Sequence, residues 1–326
     1  MDISQIDPGD LDLELAGQLA AIASTAMEGV AMPPPTAEGF WLAHTVAAEG
    51  PPIDGLWVAR EDGTPVGYAT TASSQRRNLE AARLGGAVLP DHQQRGVGRA
   101  LLDRVRAGTD RRYLFATAWE TTAGEQALPR LGFEDLSSMI IRRIYLDEPA
   151  AAEDDLRDEV KAAAGDYELF RQVGPTPEAE LPDMVVLREA INDGPSRGVD
   201  YEDWPTSRIA AYESSLVTRK QTQHTVVARH RESGEPAGIT IVCVDEIRPL
   251  VAAQEDTSVL RAHRGHRLGL ALKLEMIDWL RADRPDVGIV DTWNASQNEH
   301  MITVNDRLGM KPVAQSWTFR FDRERE

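Results

Sequence analysis

Two segments of this chain share one layout, and this correspondence constrains the fold more than any other feature of the sequence. The first is 88–100, VLPDHQQRGVGRA, and the second is 259–271, VLRAHRGHRLGLA, which begins 171 residues later. In each segment a β-like run leads into a polar turn containing glycine, and an amphipathic helix follows. Similarity at a fixed spacing predicts repeated structural units, so we expect two copies of one unit.

Two further pairs of motifs recur in the same order. GTPVG at 63–67 is matched by GEPAG at 234–238, and LGF at 131–133 is matched by LGM at 308–310. Each copy predicts two helices, a hairpin, a strand that ends at the glycine turn, a helix, a strand, a short helix and a closing strand. Strands mixed with flanking helices predict an α/β (α+β) fold. We place the first domain at 1–148, a helical or flexible linker at 149–164, and the second domain at 165–326.

Composition narrows the class of protein. The 326 residues suffice for two domains of about 150 residues each. A net charge of −18 argues against nucleic-acid binding and favours neutral or cationic partners. The single cysteine, Cys243, excludes a disulfide framework, which favours a cytoplasmic protein. Its place in a strand of alternating apolar character predicts a buried core thiol and not a nucleophile. We see no signal peptide and no apolar run of the ~20 residues that a membrane span needs, and we expect no bound metal and no membrane partner.

The glycine turn is a candidate anion site. The first turn of a helix presents backbone N–H groups without partners, and these bind phosphate well. Gly96 and Gly98 allow a ligand to approach the backbone closely. The neighbouring Arg95 and Arg99 either pair with phosphate oxygens or lie in solvent.

The motif Gln93-x-x-Gly96-x-Gly98, preceded by the aliphatic Val88, resembles the pyrophosphate loop of the GNAT superfamily of acyl-CoA-dependent N-acetyltransferases. The second copy reads Arg264-x-x-Arg267-x-Gly269 and departs from the pattern at its first glycine. The two-copy layout is similar to the tandem acetyltransferases of actinobacteria, a group that includes mycothiol synthase. This resemblance implies two consecutive GNAT domains, each with a mixed, mostly antiparallel sheet, and acetyl-CoA as cosubstrate.

The resemblance also implies which residues bind acetyl-CoA. In the first copy these are Val88, Gln93, Gln94, Arg95, Gly96, Val97, Gly98 and Arg99, and in the second Val259, Arg264, Gly265, His266, Arg267, Gly269 and Leu270. Asn294 and Asn298 either bind the amides of pantetheine or cap the helix that follows them.

The family places its general base on the strand before the loop, on the face of the strand-end aliphatic residue. The period of two along a strand puts Glu255 on the face of Val259, and puts Asp256 on the opposite face unless a bulge re-aims it. Glu255 as a solvent-exposed, solubilising residue is an equally open interpretation. The first copy has no proton acceptor on this face.

The family's proton-donating tyrosine is replaced by Leu128 in the first copy and by Asn305 in the second. Asn305 can hydrogen-bond the sulfur or the pantetheine, but it cannot serve as an acid.

The leading hypothesis is direct transfer of an acetyl group to a primary amine of a small molecule. Chemistry is expected in the C-terminal domain, while the N-terminal domain binds acetyl-CoA structurally. One loop rich in acidic residues either binds a cationic amine or is a solvated surface loop. It contains Asp193, Asp200, Glu202, Asp203 and Trp204. Two alternatives stay open: an active N-terminal domain, or a non-catalytic acyl-CoA-binding or regulatory module. Monomer and homodimer are both compatible with the sequence.

Overall fold

The chain forms two units, and each unit contains a closing strand from the other half of the sequence. The structure, a computed structural model, describes residues 1–46, 53–73, 78–148, 153–193 and 203–325. The N-terminal unit comprises Met1–Met139 with Ala314–Glu326, and the C-terminal unit comprises Ile140–Val313. The predicted boundaries at 148 and 165 follow the order of the repeats along the chain. They therefore assign the two closing strands differently from the compact units.

The elements follow one another in the same order in both copies. The first series is β1 (Asp2–Ile6), α1 (Leu13–Ala26), α2 (Ala37–Thr45), β2 (Gly55–Glu61), β3 (Thr64–Ser73), β4 (Ala81–Val88), α3 (Val97–Gly108), β5 (Tyr113–Trp119), α4 (Ala123–Arg130) and β6 (Glu134–Tyr145). After α5 (Glu153–Ala163), the second series is β7 (Tyr167–Val173), α6 (Leu181–Glu189), α7 (Thr206–Thr218), β8 (Gln221–His230), β9 (Pro236–Asp245), β10 (Val251–Val259), α8 (Leu268–Asp283), β11 (Ile289–Ala295), α9 (Glu299–Arg307) and β12 (Lys311–Asp322).

Each unit has a mixed, mostly antiparallel sheet, which confirms the predicted fold class. In the N-terminal unit the strand order is β1-β2-β3-β4-β5-β12, and in the C-terminal unit it is β6-β11-β10-β9-β8-β7. The pairs β4–β5 and β10–β11 are parallel, whereas the hairpin pairs and β5–β12 are antiparallel. The predicted linker contains the helix α5. The edge strands β1 and β7 were not predicted, because neither shows a clear apolar alternation.

Helices cover both faces of the N-terminal sheet. Leu56 and Val58 of β2 pack in the core cluster that contains α1 and α2, while Trp57 and Ala59 pack in the cluster that contains α3. Alternate residues of a strand face opposite sides, so β2 is buried on both. Asp12 begins α1 by accepting a hydrogen bond of 2.8 Å from the N–H of Leu15. Among the described residues no helix combines the length and the apolar character that crossing a membrane requires.

In both units the two parallel strands at the centre of the sheet pair with each other over only part of their length. The register of β4 with β5 runs from Ala81–Tyr113 to Leu84–Ala116, and the register of β10 with β11 runs from Val251–Ile289 to Gln254–Thr292. Beyond these pairs each strand continues for several residues without its parallel neighbour. The result is a wedge that opens toward the glycine turn, and the contents of the wedge distinguish the two units.

Candidate active site

The two glycine turns have the same backbone conformation, although their glycines are placed differently. In the N-terminal unit the two positive φ angles are 58° at Gln94 and 85° at Gly96. In the C-terminal unit they are 90° at Gly265 and 57° at Arg267. Each turn thus has one glycine and one side chain in the left-handed region, which costs a residue with a side chain about 1 kcal/mol. The loss of glycine at position 267 does not change the path of the chain.

The first residue of each motif braces the turn. Gln93 donates a hydrogen bond of 3.0 Å from Nε2 to the carbonyl oxygen of Val88, and Arg264 donates one of 3.1 Å from Nε to the carbonyl oxygen of Val259. Glutamine and arginine therefore perform the same structural task in the two units. These donor groups point at the end of the strand, and not outward to a phosphate.

The helix that follows each turn has an open N-terminus. Gly96, at the N-cap of α3, has no side chain to cap the helix, and a Cβ added at Gly98 or at Gly269 would meet no atom within 4 Å. Val97 and Leu270 are buried and anchor their helices in the core. The first-turn N–H groups have no partner within the helix, so both termini suit an anion.

The charges beside the two turns differ. Arg95 and Arg99 are exposed next to the N-terminal turn, and His266 is exposed next to the C-terminal one. Arg267 is paired with Glu159 of α5, with 2.7 Å between Nε and Oε1. The pKa of Glu159 is lowered, first by its hydrogen bond to Arg307 and then by Arg267. The arginine that replaces glycine thus has a carboxylate partner within its own unit.

The wedge of the N-terminal unit is an open cavity of about 400 Å³, within the range of small-ligand pockets. Its lining brings together four of the predicted residues, which are Val88, Gln93, Gln94 and Gly98. The facing ends of the two separated strands form its walls, contributed by 84–88 of β4 and 116–119 of β5. Apolar side chains of α3 and α4, including Leu102 and Leu128, complete the lining. The cavity therefore extends from between the strands to the N-terminus of α3.

Buried polar side chains occupy the corresponding positions of the C-terminal unit. Aligned by strand register and by the repeats, Leu84, Leu102, Ala118 and Leu128 of the cavity lining correspond to Gln254, Lys273, Asn294 and Asn305. Each of the four polar residues is at most 7% exposed. The predicted Asn294 and Asn305 are therefore brought together, but inside the protein.

Hydrogen bonds connect these polar side chains. Asn305 donates from Nδ2 to Oδ1 of Asn294 at 2.7 Å, and Lys273 donates from Nζ to Oε1 of Gln254 at 3.5 Å. Gln254 also donates to the carbonyl oxygen of Ile241 at 2.7 Å. Burial lowers the pKa of Lys273 to about 7. Lys273 and Gln254 were not predicted from the sequence. The spacing of 171 residues aligns Leu102 with Lys273, but Leu84 corresponds to Gln254 only through the strand registers.

Glu255 is exposed, and a bulge changes the face on which it lies. The register of β10 with β9 shifts between Gln254 and Thr257, which pair with Val242 and Thr240. Because one residue is inserted there, Gln254 shares a face with Thr257 and Val259, and the period of two cannot be extended to Glu255. Asp256 accepts a hydrogen bond of 3.1 Å from Nη1 of Arg188.

Of the remaining predicted residues that the structure describes, one caps a helix and two have buried side chains. Asn298 accepts a hydrogen bond of 3.2 Å from the N–H of Met301, so it caps α9. Cys243 is buried, and burial raises the pKa of its thiol. Trp204 of the acidic loop is only 3% exposed. Asp200 and Glu202 lie outside the described residues, and of Asp193 only the backbone is described.

Comparisons with known proteins agree with this geometry. Residues 52–135 match the family model described as acetyltransferase (GNAT) domain. A tandem GNAT protein from the clavulanic acid biosynthesis pathway, solved without acetyl-CoA, is 27% identical, with a TM-score of 0.81 and 98% of each chain covered. A GCN5-related N-acetyltransferase from Sphaerobacter thermophilus is 15% identical, with a TM-score of 0.65 and 98% of this chain and 95% of that chain covered. The second likeness shows the fold alone. A comparison with curated proteins gives no match.

Proposed function

We propose that this chain, in which residues 52–135 match a GNAT domain and which resembles a tandem GNAT protein over 98% of its length, is an acetyl-CoA-dependent N-acetyltransferase. Its acetyl-CoA site is proposed to lie in the N-terminal unit. The observation that carries the proposal is the open wedge between β4 and β5, which extends to the exposed N-terminus of α3. The acceptor is proposed to be a primary amine of a small molecule, and the net charge of −18 favours a cationic one.

The residues of the N-terminal unit fit the parts of acetyl-CoA. The first-turn N–H groups of α3, with Arg95 and Arg99 nearby, suit the pyrophosphate. The separated edges of β4 and β5 offer backbone groups to the two amides of the pantetheine arm, as a neighbouring strand would. The open space at Gly98 allows the backbone to be approached closely, because a side chain there would project into the path of the ligand.

Tyr68 and Arg130 are the titratable residues among the described lining of the cavity. Burial raises the pKa of Tyr68, so its hydroxyl keeps its proton at neutral pH and is a hydrogen-bond donor. Acetyl transfer requires a deprotonated amine, an oriented carbonyl and a proton for the departing thiol. Tyr68 supplies a hydrogen-bond donor that orients the carbonyl, and the proton released by the amine passes through water to the departing thiolate.

The geometry favours the N-terminal unit as the site of acetyl transfer. An active N-terminal domain was one of the alternatives that the sequence left open. In the C-terminal unit the wedge positions hold Gln254, Lys273, Asn294 and Asn305, Glu255 is exposed, and Arg267 is paired with Glu159. We therefore propose a structural role for the C-terminal wedge and a stoichiometry of one acetyl-CoA for each chain.

A matched pair of variants tests the proposal. Gly98→Trp and Gly269→Trp make the same change at corresponding positions that both face open space. We expect Gly98→Trp to weaken acetyl-CoA binding at least tenfold in calorimetry and to abolish thiol release with a panel of amines. Gly269→Trp should leave both close to wild type.

The opposite pattern would assign acetyl-CoA to the C-terminal unit. Saturable binding of acetyl-CoA without thiol release on any amine would favour the acyl-CoA-binding module over the enzyme.

A further inference from the structure

A buried arginine of the C-terminal unit has hydrogen-bond donors without acceptors. Arg188 of α6 is 3% exposed. Its guanidinium lies beside two aromatic rings that contact each other, with Cζ 4.5 Å from the ring centroid of Trp204 and 5.3 Å from that of Tyr212. Nη1 donates to Oδ2 of Asp256 at 3.1 Å, whereas Nε and Nη2 have no partner among the residues that the structure describes.

The two groups without partners form one edge of the guanidinium. Nε and Nη2 each direct an N–H outward in the plane of the group, spaced to meet the two oxygens of a carboxylate. Elsewhere the chain uses this edge in that way. Arg143 binds Asp291 through Nε and Nη2, both at 2.7 Å, and Arg284 binds Asp286 through the same two atoms at 3.0 and 2.8 Å.

The tryptophan whose ring lies next to the guanidinium carries a third donor for which the described residues supply no partner. The indole Nε1 of Trp204 is also buried without a partner among the described residues, and Trp204 is the residue whose ring stacks on the guanidinium. Buried polar groups in folded proteins almost always have a partner, and a partner that the described residues do not supply can come from a ligand. We propose that Arg188 and Trp204 form a binding site for the carboxylate of a small molecule.

The donor geometry and the burial of the site favour a carboxylate over a phosphate. Asp256 accompanies Arg188, and Arg208 lies over the same tryptophan ring with Cζ 3.8 Å from its centroid. The paired, coplanar donors of Arg188 match the two oxygens of a carboxylate, whereas a doubly charged phosphate has a second charge that must also be desolvated. The side chain of Asp256 is 20% exposed, and the neighbouring Glu255 is exposed at the bulge of β10. Solvent therefore reaches the Asp256 side of the guanidinium, whereas Nε and Nη2 are buried, and a small ligand is expected to reach them from the Asp256 side.

This proposal does not depend on the acetyl-CoA site. Arg188, Trp204 and Tyr212 belong to the C-terminal unit, on the side of its sheet covered by α6 and α7, where Leu187 and Trp204 pack in one core cluster. Failure of acetyl-CoA binding in the N-terminal unit would leave the carboxylate site unaffected, and the reverse also holds.

The test is titration of the full chain with propionate, with its neutral isostere propionamide, and with inorganic phosphate, without acetyl-CoA. Nuclear magnetic resonance of the indole N–H groups reports binding, and Trp204→Phe identifies the signal of Trp204. Arg188→Lys retains the positive charge but removes the paired donors. Arg171→Lys is the matched control, because Arg171 also lies over a tryptophan and binds Glu275, but at the surface.

We expect saturable binding of propionate in the millimolar range, with a shift of the Trp204 indole signal and no effect of propionamide. Arg188→Lys should raise the dissociation constant at least tenfold, while Arg171→Lys should not change it. Trp204→Phe, which keeps the ring stacked, should weaken binding by a smaller factor. The proposal is wrong if propionate does not bind, if propionamide or phosphate binds at least as tightly, or if folded Arg188→Lys binds propionate as wild type does.

Discussion

Asn305 donates a hydrogen bond of 2.7 Å from its side-chain amide to the side-chain oxygen of Asn294, and both residues are buried in the C-terminal unit. The corresponding residues of the N-terminal unit are Leu128 and Ala118, which line the open cavity. A pair of hydrogen-bonded amides thus stands where the other unit has apolar walls and space. We infer that this difference in side chains determines which of the two units binds acetyl-CoA.

Transferring the amide pair to the N-terminal unit should close its wedge. In the double variant Ala118→Asn, Leu128→Asn, two amides enter the cavity and can bond to each other as Asn294 and Asn305 do. We expect acetyl-CoA affinity to fall at least tenfold in calorimetry, while thermal unfolding shows that the protein is still folded. Ala118→Ser, Leu128→Met is the control that retains space in the cavity. Equal affinities for the two double variants would disprove the inference.

The repeats allowed the two glycine turns to be located from the sequence, because the spacing of 171 residues aligns Gly98 with Gly269. The burial of Lys273 could not be predicted, since a lysine in an amphipathic helix usually reaches solvent. The placement of Glu255 required knowledge of the bulge in β10, which depends on pairing with β9 and has no sequence signal. Arg188 was not identified either, because its surroundings come from three separate segments.

The sequence also could not predict which sheet each closing strand joins. The segments around Phe133 and Met310 both lead from an LG motif into a strand, so either strand could complete either sheet. The structure pairs Phe321 with Leu114 in the N-terminal unit, and packs the ring of Phe321 against that of Phe133 with ring centroids 5.2 Å apart. Such pairing is decided by packing against non-local residues, whereas the alternation of side chains along the strand is local.

Lys273 should make stability depend on pH in the alkaline range. The pKa of this side chain is about 7 in the native state and near 10.4 in the unfolded chain. Between these values the unfolded chain binds more protons, so the free energy of unfolding should rise with pH, by at most about 1.4 kcal/mol per pH unit.

Lys273→Met should remove this rise and stabilise the protein near neutral pH, as measured by urea unfolding at about pH 7.5 and about pH 9.5. Lys161→Met, on the exposed surface of α5, is the control. A wild-type stability that stays flat across this range, or an identical slope in Lys273→Met, would exclude the effect.

His224 should make stability depend on pH on the acid side. It is 3% exposed, and burial is the main cause that lowers its pKa below the ordinary value. The unfolded chain therefore takes up a proton near pH 6.5 that the native state refuses, and stability is lost as the pH falls below this value. We expect His224→Leu to lose less stability than wild type between about pH 7.5 and about pH 5.5. The exposed His300→Leu should behave as wild type, and no difference between the two variants would contradict the prediction.

The closing strand of the C-terminal unit should depend on one buried ion pair. Arg143 of β6 binds Asp291 of β11 through two hydrogen bonds of 2.7 Å, and the side chain of Asp291 is fully buried. The hydrogen bond to Asp291 is the main cause that raises the pKa of Arg143. Asp291→Ala leaves the guanidinium in the protein without this carboxylate, which should cost about 3–5 kcal/mol of the free energy of unfolding.

Glu168→Ala is the matched control, because its ion pair with Arg231 is more than half exposed on both sides and should contribute less than about 1 kcal/mol. Hydrogen exchange then distinguishes local opening of β6 from unfolding of the whole chain. If β6 is held in the C-terminal unit by this pair, the amides of 140–145 should lose protection in Asp291→Ala well before those of β2 and β3. Unchanged protection of 140–145 would mean that backbone pairing with β11 suffices to hold the strand.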